Sequence, residues 1–212
     1  MNYLAKVCGL TRTEDAAFAA AQGAHLLGFV RHAASPRHCQ NLAIACPYLD
    51  RAVLVQVSER VEDILCTAQQ YGFRKIQPYL PSEGREEGVQ RLRAEGLMVI
   101  LPWADAPGQA PIPAELYLWE PSREQTGVYG GSGQGHALAF PPPGPFLLAG
   151  GLDGSNLGTR FDLLPPATHP LLRGFDAASG LEQAPGIKSP ERVAAFIEAA
   201  ARISQRRKEF HV

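Results

Sequence analysis

The sequence predicts an α/β fold, a single (β/α)8 barrel of the TIM type spanning residues 1–212, with helices thinned or missing after strands five to seven. Three observations predict it. Short apolar runs alternate with helical segments through the first half of the chain, the pattern of a parallel sheet. Eight such runs can be counted along the chain, which suits a closed barrel. Finally, twelve of the eighteen prolines fall from Pro102 to Pro170, in stretches such as DAPGQAPIPAE and AFPPPGPF that cannot propagate helices.

Taken in order, Tyr3 to Val7 reads as the first strand, and Thr11 with Glu14 has the spacing of a capping box opening a helix that ends at Gly23. His25 to Val30 is the second strand and Ala52 to Val57 the third. Ser58 then caps a helix reaching Gly72. Phe73 to Gln77 and Leu97 to Trp103 are strands four and five, separated by a charged helical segment from Glu83 to Glu95. Leu116 to Trp119, Pro145 to Ala149 and Gly174 to Ala178 complete the eight. A regular helix returns at Ser189, which caps, with Pro190 in the first helical position.

Composition narrows the class of function. With 45% hydrophobic and 19% charged residues the chain belongs with globular proteins rather than disordered ones. A formal net charge of -1, without a block of like charges, offers no footprint for nucleic acid, and QRRK at 205–208 suits the end of a helix. No apolar run is long enough for a membrane span and Met1 to Lys6 shows no signal-peptide pattern, so a cytoplasmic protein is expected. Cys8, Cys39, Cys46 and Cys66 form no CxxC pair and no metal spacing with the histidines, so free thiols and no metal are expected.

In such barrels the chemistry sits where strands end at their carboxyl termini. Those positions carry Cys8 after strand one, Arg37 after strand two and Glu120 after strand six. They also carry three glycine-rich turns, at Gly131-Ser132-Gly133, at Gly150-Gly151 and at Asp176 to Gly180, the last including Ser179. Backbone N–H groups in such turns approach anions closely, and phosphate sites commonly follow strands seven and eight. Gly150, Gly151, Ser179 and Gly180 fit that role. His32, His38 and His136 read as solvated loop residues, and Cys39, Cys46 and Cys66 as small hydrophobes in helical patterns.

An ordered set of motifs now becomes specific. KVCGLT at 6–11, SPR at 35–37, YGGSG at 129–133, LAGGL at 148–152, DAASGLE at 176–182 and PGIK at 185–188 together resemble the phosphoribosylanthranilate isomerase family over nearly the whole chain. The resemblance implies an Amadori rearrangement of an N-linked phosphoribosyl amine to its aminoketose, in tryptophan biosynthesis, without cofactor or metal. It implies Cys8 as general base and Glu120 as general acid. Arg37 would bind the aromatic carboxylate through its planar fork. Gly131, Ser132, Gly133, Gly150, Gly151, Asp176, Ser179 and Gly180 would bind the rest of a small phosphorylated substrate, in a monomer or homodimer.

The chain also departs from the family pattern. LLDT becomes Leu118-Trp119-Glu120-Pro121, so the acid is one methylene longer. QLHG becomes Gln77-Pro78-Tyr79-Leu80 and VIKA becomes Val99-Ile100-Leu101-Pro102, which removes a histidine and a lysine from the expected rim. Weak activity is the expectation, and the alternative is a repurposed barrel that binds a phosphorylated ligand without isomerising it.

Overall fold

The computed structural model describes residues 2–104, 107–108, 111–120 and 140–209, with side chains as far as 206. Eight parallel strands hydrogen-bond in chain order into a closed barrel: β1 (Leu4–Val7), β2 (Leu26–Arg31), β3 (Ala52–Val57), β4 (Lys75–Tyr79), β5 (Met98–Ala104), β6 (Leu116–Glu120), β7 (Phe146–Leu148) and β8 (Leu172–Ala177). Pairing of β1 with β8 closes the ring. Runs such as AVLVQV form these strands because both faces of the sheet are covered, and β-branched side chains pack well on such a surface.

Alternation along each strand divides the apolar residues between two cores. Leu26, Val53, Val55, Ile100, Leu116, Leu118, Leu147 and Ala149 fill the barrel together with Cys8. Their neighbours on the opposite face, among them Phe29, Leu54, Ile76, Leu101, Trp119 and Phe146, pack outward in the layer shared with the helices.

Cover outside the barrel comes from α1 (Thr13–Ala21), α2 (Val61–Tyr71), α3 (Arg85–Ala94), the short α4 (Leu157–Asp162) and α5 (Pro190–Glu209). Between β5 and β6 the described residues contain no helix, and after β7 there is only α4 with a single 3-10 turn at Pro166–Thr168, as the prolines require. Residues 121–139, after β6, lie outside the described residues. The sequence did not lead us to expect the thinning seen after β2, where a 3-10 segment, Leu42–Tyr48, carries Pro47 in its interior. None of the described helices is long and apolar enough to cross a membrane.

Three local expectations are corrected. Thr11 does not cap α1; its hydroxyl donates to the carbonyl of Gly186 at 2.5 Å, and Arg12 takes the N-cap position. Ser58 likewise lies before the helix it was expected to cap, accepting from the Arg60 N–H at 3.2 Å. Cys39 is buried outside any helix, while Cys46 and Cys66 are exposed. Ser189 behaves as expected: its hydroxyl accepts from the Arg192 N–H at 3.3 Å, with Pro190 opening α5. A small antiparallel ribbon, β9 (Glu182–Ala184) with β10 (Ile187–Lys188), follows β8 and reaches back over the β1 and β2 loops.

Candidate active site

One cavity opens at the carboxyl end of the barrel, and Cys8, Arg37, Glu120, Gly150, Gly151, Asp176 and Ser179 all line it. Cys8 stands one residue beyond β1, its N–H donating to the Ala177 carbonyl at 2.9 Å. Two residues earlier on the same face lies Lys6, fully buried and paired with Asp176 Oδ1 at 2.6 Å. The two are register partners across the β1–β8 seam. Burial alone would lower the Lys6 pKa, but Asp176 and Cys8 together hold it above its ordinary value. Burial pushes the Cys8 thiol up, the Lys6 ammonium pulls against that shift, and Asp176 adds to it. Lys6 was not singled out from the sequence, although a lysine inside an apolar strand run is itself the signal that could have found it.

Gly28 on β2 makes room for the thiol, since a Cβ there would lie 2.7 Å from Cys8 Sγ. Gly28→Ala is therefore expected to displace the thiol and lower kcat by about a hundredfold with little change in KM, because about 1 Å of misplacement has that cost. Steady-state kinetics of the variant checks it.

Glu120 ends β6 and points into the cavity. Burial raises its pKa to about 7, opposed by a hydrogen bond from Tyr79. Tyr79 Oη donates to Glu120 Oε1 at 3.0 Å and accepts from Gln77 Nε2 at 3.1 Å. Arg85, at the start of α3, donates to the Pro102 carbonyl at 2.7 Å and lowers the Glu120 pKa through its charge. A carboxyl half neutral near pH 7 is suited to proton donation.

Arg37 lines the cavity but is already engaged by a partner. Its Nε and Nη2 donate to Glu182 at 2.8 and 2.9 Å, so this edge of the fork is already filled. Glu182 is shared with Lys188, whose Nζ lies 2.9 Å away and also donates to the Ala178 carbonyl at 3.0 Å. Among the described residues the terminal Nη1–Nη2 edge of Arg37 is the one left for a ligand carboxylate.

Gly150 and Gly151 adopt φ of 95° and 63°, a left-handed turn that side chains disfavour, and their N–H groups have no acceptor among the described residues. Asn156 Nδ2 holds the turn through the Gly151 carbonyl at 2.8 Å. Gly180, expected to share the anion site, does not line the cavity; it packs instead against the Leu152 carbonyl, joining the two turns. Gly131, Ser132 and Gly133 lie outside the described residues. His32 and Ser35, in the loop after β2, also line the cavity.

No family model matches the chain. The N-(5'-phosphoribosyl)anthranilate isomerase of Rubrobacter xylanophilus is 36% identical over 210 residues, covering 92% of this chain and 97% of the relative. The chain belongs to the phosphoribosylanthranilate isomerase family. The relative named N-(5'-phosphoribosyl)anthranilate isomerase in Azorhizobium caulinodans is 33% identical, with 96% of each chain covered. Among solved structures, the phosphoribosyl anthranilate isomerase of Thermus thermophilus superposes with a TM-score of 0.75 at 27% identity, over 94% of this chain and 99% of that one.

Within this phosphoribosylanthranilate isomerase barrel, the two apparent losses from the rim have different meanings. Tyr79 keeps a polar group on the cavity wall, bonded to the acid candidate. Leu101 lies inside β5 on its outward face, packed in the outer core, so its identity leaves no gap in the cavity.

Proposed function

We propose that this chain catalyses the reaction of its family, the Amadori rearrangement of N-(5'-phosphoribosyl)anthranilate to its aminoketose in tryptophan biosynthesis, with Glu120 as acid and Cys8 as base. The observation that carries the reading is a buried carboxyl with a pKa near 7 sharing one cavity with a thiol that has a lysine beside it. Glu120 gives its proton to the furanose ring oxygen as the bond from C1′ to that oxygen breaks, and the nitrogen lone pair forms a C1′=N Schiff base. The Cys8 thiolate then takes the C2′ proton, and the C–H electrons form the C1′=C2′ bond of an enolamine as the nitrogen regains its lone pair. Tautomerisation gives the ketone with no external oxidant or reductant.

The N–H groups of Gly150 and Gly151, which have no acceptor among the described residues, and Ser179 on the same cavity wall supply donors for the phosphate. The open edge of Arg37 supports binding of the anthranilate carboxylate. Mixing the purified protein with phosphoribosylanthranilate and following loss of its fluorescence tests the whole reading. Turnover above the uncatalysed rate is expected; tight binding without turnover would instead identify a repurposed barrel.

A further inference from the structure

Resting on the reading of Glu120 as the acid, we propose that Tyr79 is its positioning residue: its hydroxyl, oriented by Gln77, occupies one carboxyl oxygen and confines the transferable proton to the other.

The direction of the hydrogen bonds carries the argument. Gln77 Nε2 can only donate, so at 3.1 Å it uses a lone pair of Tyr79 Oη and turns the phenolic proton away. That proton is directed at Glu120 Oε1, 3.0 Å distant. A neutral Glu120 with its own proton on Oε1 would set two hydrogens against each other, so the proton resides on Oε2. Among the described residues Oε2 has no partner, and Glu120 lines the cavity. The relay joins β4 to β6 across β5, anchoring the carboxyl to a wall two strands away. Such an anchor matters here because a glutamate has one more rotatable bond to order than an aspartate. The family pattern has a histidine and an aspartate at these two positions, so tyrosine with glutamate acts as a matched pair.

Tyr79→Phe keeps the ring and its packing while removing the donor. Infrared titration reads the carboxyl directly, the Glu120 band being identified by its loss in Glu120→Gln. In Tyr79→Phe the midpoint is expected to rise by about one pH unit, because a bond to the charged form is lost. Turnover is expected to fall about tenfold: poorer aim costs about a hundredfold and a larger neutral fraction restores at most about tenfold. In a Glu120→Asp background, where the shorter side chain no longer meets the hydroxyl, adding Tyr79→Phe is expected to change kcat by less than about twofold. A midpoint that stays or falls, or an equal loss in the aspartate background, overturns the proposal. If Glu120→Gln is inactive when that happens, the acid reading survives; if Glu120→Gln turns over like the parent, acid and positioning roles fall together.

Discussion

Glu120→Gln is expected to lower kcat by roughly three orders of magnitude while KM stays within about twofold, general acids contributing about 10² to 10⁴. Glutamine has nearly the same shape, and its amide oxygen can still accept from Tyr79, so cavity and fold are preserved. What it lacks is a proton to release to the ring oxygen. The native carboxyl is well placed to supply one because burial has lifted its pKa to about 7. Steady-state measurement of kcat and KM on the fluorescent substrate decides this; parental turnover in the glutamine variant would place the acid elsewhere.

Cys8→Ser is expected to cut turnover by at least about a hundredfold, since a serine hydroxyl yields almost no anion at accessible pH. The pH profile gives the sharper test. The productive form needs Glu120 protonated and Cys8 ionised, and burial pushes the thiol pKa upward, above that of the carboxyl. Below pH 7 Glu120 is already neutral and the thiolate fraction grows tenfold per unit, so activity rises with pH. Between about 7 and the thiol pKa, gain of thiolate and loss of neutral carboxyl cancel to a plateau. Above the thiol pKa only the loss continues, and activity falls. On the plateau only a minority of molecules are correctly protonated, because the thiol titrates above the carboxyl. In Cys8→Ser the falling limb should leave the measurable range, so a variant retaining both limbs would show that the thiol is not the base.

The strands were legible because period and composition agree in them, and AVLVQV was placed to the residue. Positions at strand ends followed, and Cys8, Glu120, Asp176, Gly150 and Gly151 duly meet at one cavity. Errors arose where register decides. The strand expected to end at Gln77 runs on through Pro78 to Tyr79 and turns Gln77 and Tyr79 inward. The family pattern suggested a rim position for Leu101, and the parity of β5 turns it outward instead. Long-range partners left no local trace. Thr11 meets Gly186, Arg37 meets Glu182 and Lys6 meets Asp176 only after the ring closes.

That last group of contacts sets the order in which the enzyme can come into being. While the chain is being synthesised, Cys8 and Arg37 emerge well before the carboxylates that pair with Lys6 and Arg37, which belong to β8 and β9. Burying Lys6 without Asp176 would leave an uncompensated charge in the barrel, so the β1 seam must stay hydrated until the late strands arrive. Lys188 also ties this end of the chain to α1, its backbone N–H donating to Asp15 Oδ2 at 3.1 Å. The nascent protein therefore carries its base long before it has a working site. An unfinished chain holds Cys8 with neither the Lys6–Asp176 pair nor the cavity wall that β8 supplies, so the thiol has no site to act in until the late strands are in place.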